Sequence, residues 1–472
     1  MLLNFVILYL LASIAVGLWF ARRVKNTEDY AVAGRSLPLS VVIATTFATW
    51  FAAETVIGIP AKFLRGGMAA TVEDPWGASM CLIFVGLFFA RKLYPMSLLT
   101  INDFYRVHYG KTVELFCSVV DILSYLGWVA AQITALGVVF SLITDGKITP
   151  RDGAFIGTAV VLIYTIYGGM WSVAVTDFLQ MIIIVLGLVG IAIISGNMAG
   201  GPAKVFELAA DRELLHFFPA WNFHEIMFFI GSGITIMLGS IPQQDIFQRI
   251  MSSKNVQVAV WGPLIGGTGY LLFAMVPMFI VTSSLIIMPS EAAALLQTET
   301  GSQEVLPTLI VDHMPKYAQV MFFGALLSAI MSTASATILA PSTVFVQNLL
   351  KHFWPAMTDR QELRLMRYTV LAFTAIVLTY AILMEGTSVY DLVSTTYQLP
   401  VVGAFVPLVC GLYWKRANNR GAIASILCGV STWILFMVTP LGELFPQQLA
   451  GLIMAVIGMV VGSLASGSRA ES

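Results

Sequence analysis

The chain has 472 residues, 58% of them hydrophobic and 11% charged, with a mean hydropathy of +0.85 and a formal net charge of −1. Soluble domains carry about 25% charged residues, so the composition excludes a soluble protein and describes an integral membrane one; the near-zero charge gives no reason to expect a nucleic-acid partner. Cys81, Cys117, Cys410 and Cys428 fall inside apolar runs without a Cys-x-x-Cys pair, which suggests neither a disulfide framework nor a metal cluster, and the five histidines fall in or beside polar connections.

The first apolar run, residues 3–22, has no positive residue ahead of it and no small-residue cleavage site behind it. It reads as a spanning helix with the N-terminus outside, not as a signal peptide. The second run, 38–60, can span a bilayer, yet it carries Glu54, Thr45, Thr46, Thr49 and Thr55 and ends Gly58-Ile-Pro60. A buried charge is costly at bilayer depth. A helix that unwinds in mid-membrane to offer carbonyls to an ion has this kind of sequence; so does a helix with polar packing on its protein-facing side.

Run 71–93 opens with Glu73-Asp74, expected at the external mouth. Run 113–144 carries Asp121, and its Tyr125, Trp128 and Gln132 follow at spacings of three and four, hence on one face that lines a cavity or packs against a neighbour. Runs 152–167 and 172–195 are divided at Tyr167-Gly-Gly-Met-Trp171, since together they exceed one crossing of about 20 residues. Asp177 lies well inside the second of these. An intramembrane carboxylate is an ion relay, a proton carrier or half of a buried pair, unless it is a helix-start carboxylate favoured by the dipole.

Runs 226–247, 256–288, 317–350, 366–384, 389–413, 421–439 and 449–465 bring the count to thirteen. The ninth run holds Ser332, Thr333, Ser335 and Thr337, hydroxyls that can ligate a small cation or bond back to the preceding turn. The eleventh contains Ser394-Thr-Thr-Tyr-Gln398. With the N-terminus outside, 18 of the 25 Lys and Arg residues, Arg249 and Arg469 included, fall on the cytoplasmic side and 7 outside, which supports that orientation and a cytoplasmic C-terminus. Long external connections cover 196–225 and 289–316, the first with an amphipathic stretch, 205–215, that reads as a short surface helix. The second and seventh runs cross in opposite directions. The seventh also has breakers at Gly231, Gly233, Gly239 and Pro242. That pairing suggests two five-helix halves of opposite topology with a site between them.

Several motifs occur together: Ala33-Gly-Arg-Ser36, Thr100-Ile-Asn-Asp-Phe-Tyr-Arg-Val-His-Tyr-Gly110, Tyr167-Gly-Gly-Met-Trp-Ser-Val-Ala-Val-Thr-Asp-Phe-Leu-Gln180, Gln248-Arg249, Met331-Ser-Thr333 and Gly411-Leu-Tyr-Trp-Lys-Arg416 followed by Gly421-Ala422. As a set, in this order, they resemble the sodium/solute symporter family. The resemblance implies an all-α membrane protein of the leucine-transporter-type fold, here with about 13 transmembrane helices, a 5+5 inverted-repeat core and discontinuous first and sixth core helices. Its expected parts are an accessory helix and loop (1–36), a first repeat (37–200), an external loop (201–225), a second repeat (226–415) and two C-terminal helices with a tail (416–472). It implies sodium bound by the carbonyls of Ala48, Phe51 and Ala329 and the hydroxyls of Ser332 and Thr333, with Asp177 at a second ion site or on the ion exit path.

The expected function is sodium-coupled import of a small organic solute across the plasma (inner) membrane by alternating access, with no enzymatic activity. Proton coupling centred on Asp177 or Glu54, and solute sensing without transport, are the alternatives. Candidate solute-binding residues are Trp50, Glu54, Tyr125, Trp128, Gln132, Gln243, Gln244, Asp245, Ser394 and Gln398. Trp50 matches one wall of the aromatic box in the choline-transporting branch, where cation–π attraction holds a quaternary ammonium. Gln243 stands where that branch has Trp, and Asp245 where the sugar-transporting branch has Tyr. Glu54, Asp245 and the outer Glu73-Asp74 favour a cationic or zwitterionic solute.

Overall fold

Backbone crossing a hydrocarbon core must satisfy its own hydrogen bonds, and apolar runs of this length do so as helices. The computed structural model describes residues 2–384 and 386–465, so Arg469 lies outside the described residues. In chain order the membrane-length elements are α1 (Leu2–Ala21), α2 (Leu39–Trp50), α3 (Glu54–Gly66), α4 (Met68–Met96), α5 (Lys111–Ile143), α6 (Pro150–Met198) and α7 (Phe223–Gly239). They continue with α8 (Gln244–Ser252), α9 (Val256–Ile287), α10 (Lys316–Phe353), α11 (Asp359–Leu383), α12 (Val389–Tyr413), α13 (Asn419–Val438) and α14 (Gln447–Ala465). The pairs α2/α3 and α7/α8 bend by 58° and 45° at short breaks, so each pair makes one broken span.

Among the described residues this gives ten long apolar helices, or twelve spans with the broken pairs, where the sequence led us to expect thirteen. The difference lies in α6, where runs 152–167 and 172–195 are joined in one element of 49 residues. At 1.5 Å per residue it is about 73 Å long, against a hydrocarbon core of about 30 Å. Gly169 interrupts it with φ 48° and ψ −140°, a backbone region that a residue with a Cβ rarely enters.

The elements sort by what surrounds them. In α10 every residue of the apolar window is buried, whereas in α1 only 22% are, so α10 is the centre of the molecule and α1 faces lipid with Leu8, Leu11 and Trp19. Polar staples still tie α1 to the core: Ser172 Oγ donates to Gly17 O at 2.5 Å, and Tyr9 OH meets Ser328 Oγ at 2.7 Å. Short helices fill the connections. Ile101–Tyr109 starts with a capping box from Thr100 and Asp103, Pro202–Asp211 falls in the predicted surface stretch, and Glu299–His313 lies before α10.

Candidate ion and solute site

The break between α2 and α3 is built by side chains that take over backbone amides. Phe51 leaves the helix at φ −86°, ψ 85°. The Ala52 amide then donates to Thr55 Oγ1 (3.4 Å) and the Ala53 amide to Gln132 Oε1 (3.2 Å). In an unbroken helix those amides would bond the carbonyls of Ala48 and Thr49. Thr49 O instead accepts Thr333 Oγ1 from α10 at 2.7 Å, a hydroxyl shared with Ala329 O at 3.2 Å.

One helical turn away, Asp177 gathers three more hydroxyls. Ser332 Oγ donates to its Oδ1 at 2.6 Å, and Thr45 Oγ1 and Thr49 Oγ1 donate to its Oδ2 at 2.5 and 3.4 Å. Ala48, Phe51, Ala329, Ser332, Thr333 and Asp177 are all fully buried. Because the hydroxyl protons of Ser332 and Thr333 point to acceptors, the remaining lone pairs of these oxygens are free for a hard cation.

Arg249 sits beside this cluster, 1% exposed. It donates to Thr49 Oγ1 (2.5 Å), Asp245 O (2.6 Å) and Thr45 O (3.5 Å). Counting Arg249 with the cytoplasmic connections misplaced it: it belongs to α8, and its charge is enclosed by α2 and α8 rather than by water.

The neighbouring cluster is aromatic with carboxylates. Glu54 accepts Trp128 Nε1 and Gln132 Nε2, each at 2.8 Å. Tyr125 OH donates to Asp245 Oδ1 at 2.7 Å and accepts the Asp245 amide at 2.9 Å. Trp50 and Trp128 meet edge to face with centroids 5.9 Å apart, and Tyr397 lies 5.7 Å from Trp128 and 6.4 Å from Trp50. Gln243, in the α7/α8 break, donates to Ser124 Oγ at 2.8 Å.

Not every expected residue joins this group. Gln244 points to the connection before Ile101–Tyr109, accepting the Ile101 amide (2.8 Å) and donating to Leu99 O (3.3 Å). Gln398 faces the C-terminal helices, where it accepts from Trp433 Nε1 (3.0 Å) and Gln447 Nε2 (2.7 Å). Ser394 donates to Glu73. The pair Glu73-Asp74, expected at the external mouth, is buried: Glu73 lies under α12, and Asp74 accepts Tyr270 OH of α9 at 2.5 Å. Tyr397 and Arg249 belong to the group without having been among the candidates.

Farther out, Lys62 pairs with Asp391 (3.3 Å) and Glu299 (3.9 Å), and Arg65 pairs with Glu299 (3.7 Å). A separate cavity of about 530 Å³ opens beside Ile57 and Val389, bordered by Arg151, Glu304 and Asp312, and no residue of either helix break lines it.

The model of the sodium:solute symporter family matches residues 30–429. The human high affinity choline transporter 1 is 29% identical over 441 residues, which cover 90% of this chain and 75% of that protein. The sodium/sialic acid symporter NanT of Aliivibrio fischeri is 25% identical over 478 residues, covering 97% and 92%. Among solved structures, a Na+-coupled sialic acid symporter in a substrate-bound, outward-open state is similar with a TM-score of 0.87 at 20% identity, over 100% of this chain and 99% of that one. A transporter of the nucleobase-cation-symport-1 family gives 0.62 at 15% identity, over 95% and 97%. These structural likenesses are likenesses of fold.

Proposed function

Since the chain belongs to the sodium:solute symporter family and couples sodium to the movement of a small organic solute, we propose that it imports a cationic or zwitterionic solute bound between its two helix breaks. Sodium binds at the carbonyls of Ala48, Phe51 and Ala329 and the hydroxyls of Ser332 and Thr333, with Asp177 next to it as the ion's exit or second station. The solute lies against Trp50, Trp128, Tyr125, Tyr397, Glu54, Gln243 and Asp245. The two repeats, 37–200 and 226–415, rock about this centre, and the break at Gly169 divides α6 into two crossings. The N-terminus is outside and the membrane is the plasma (inner) membrane.

The observation that carries this reading is the Thr333–Thr49 hydrogen bond, which closes the broken end of α2 onto the hydroxyl run of α10. A cation shared by these two segments favours the arrangement in which they meet, and a ligand shifts a conformational equilibrium only by such differential affinity. The choline named for one group of relatives is a small organic cation, which agrees with the carboxylates around the aromatic cluster, whereas the sialic acid named for another is an anion.

The double variant Ser332→Ala/Thr333→Ala in proteoliposomes tests the site. Solute uptake driven by a sodium gradient is expected to be lost. Full sodium coupling in that variant would sink the ion assignment, and uptake driven by a pH gradient without sodium would replace sodium by protons.

A further inference from the structure

We infer that the end of the solute recognised at the α7/α8 break is an ammonium that still carries N–H bonds, with a hydrogen-bond acceptor close by, the pattern of an amino acid or an amino alcohol and not of a quaternary ammonium. This rests on the solute position proposed above. Buried polar atoms without a partner there include Asp245 Oδ2, Gln243 Oε1 and Trp50 Nε1. Buried polar groups are almost always paired, so these orphans indicate what must be brought to them.

Their polarity is fixed by their neighbours. Ser124 Oγ gives its proton to Asp121 O at 2.6 Å, so it can only accept from Gln243, which turns the amide nitrogen toward Ser124 and leaves Oε1 as an acceptor. Tyr125 OH gives its proton to Asp245 Oδ1, and Arg249 is occupied with Asp245 O rather than the carboxylate. Asp245 Oδ2 therefore lacks a donor as well. The Trp50 indole lies close to the Asp245 carboxyl group without closing a hydrogen bond to it, and an indole nitrogen only donates.

The chamber thus presents two acceptors, one of them anionic, and one donor. A protonated primary or secondary amine serves both acceptors, and a neighbouring carboxylate or hydroxyl serves Trp50. The rings of Trp50, Trp128 and Tyr397 attract any cation by its charge. They do not distinguish the two kinds of ammonium. The acceptors do: a trimethylammonium has no N–H and leaves Asp245 Oδ2 and Gln243 Oε1 buried and unpaired. Sites built on hydrogen bonds reject analogues that lack them far more strongly than apolar pockets reject a misfit.

The test is binding to the purified full chain at saturating sodium, measured by isothermal titration, with three matched pairs: glycine and glycine betaine, L-proline and proline betaine, ethanolamine and choline. At least one N–H-bearing member is expected to bind, with its fully methylated partner weaker by about tenfold or more. Equal or tighter binding of the methylated members overturns the inference, and so does sodium-dependent binding of none of the six. In Gln243→Leu, which removes one orphan acceptor, the ratio within the pair is expected to shrink. If that variant does not fold, the wild-type ratio decides alone. Sodium-driven uptake of choline with wild-type coupling would refute this inference and leave the symporter reading intact, whereas absence of sodium-driven flux for any solute would remove both.

Discussion

At the scale of single residues, Glu54 is a demanding group, a buried carboxylate whose partners are the neutral donors Trp128 and Gln132. Gln132 does two things at once, since its oxygen also holds the Ala53 amide at the helix break. Replacing it as Gln132→Leu leaves two buried groups unpaired, each worth about 1–3 kcal/mol. The variant is expected to melt at a lower temperature and to lose solute-induced stabilisation, and a thermal-shift curve identical to wild type would contradict this. Much of this face was legible, because Tyr125, Trp128 and Gln132 recur at helical spacing and do meet one chamber. Tyr397 was not, although it lies in the polar run that drew attention. Adjacent helix positions point about 100° apart, so choosing Gln398 selected the wrong face of α12. Arg249 was hidden for a different reason. A basic residue near a helix end is normally a topology marker, and nothing in its spacing tells that Thr45, Thr49 and Asp245 enclose it.

At the scale of elements, the two broken helices were foreseen, but not the role of each proline. Pro242 lies within the α7/α8 break between Gly239 and Gln244. Pro60 does not break α3, which runs through it to Gly66. The turn before it, Glu54–Gly58, is a π-helix, and its wider spacing gives the Ile59 amide to Glu54 O just before proline's missing donor. The actual break falls at Phe51–Ala53, where Thr55 and Gln132 compete for the amides. A Cβ on Gly239 would stand 2.3 Å from Tyr397 O, so the end of α7 rests directly on α12 and only glycine fits. Gly239→Ala is expected to push α12 from the chamber and cut sodium-driven uptake by at least about tenfold, as small misplacements at a reacting or binding centre do. Uptake at the wild-type rate would show that the contact can relax. The count of spans was less legible than the fold, because the two runs join in one element that only the backbone of Gly169 interrupts.

At the scale of the whole molecule, the two helix breaks lie between contacts of unlike kind. At the end where α8 finishes the contacts are buried and backbone-rich. The segment before α2 pairs with the end of α8 through Leu37 N to Ser252 O (2.9 Å) and Lys254 N to Leu37 O (3.0 Å), and Asn348 bonds Asp103, Glu114 and Thr100. At the far end of α3, that helix is held to α12 and to Glu299–His313 by Lys62 and Arg65, at side chains 31–52% exposed. Ion pairs of that exposure contribute about 0–1 kcal/mol each and weaken with salt. The contacts made by Lys62 and Arg65 are the easier ones to undo. Lys62→Met is therefore expected to speed hydrogen exchange of the amides of residues 389–400 in sodium-free buffer while leaving residues 244–252 unchanged; equal exchange in both segments would refute the asymmetry.

The hydroxyls proposed to hold sodium already have partners inside the protein, Ser332 with Asp177 and Thr333 with Thr49 O. When the ion departs, these two hydroxyls keep a partner in the apolar interior. Such a seat trades tightness of grip for ease of letting go. In a carrier that must empty itself on every cycle, quick unloading is the property that sets its pace.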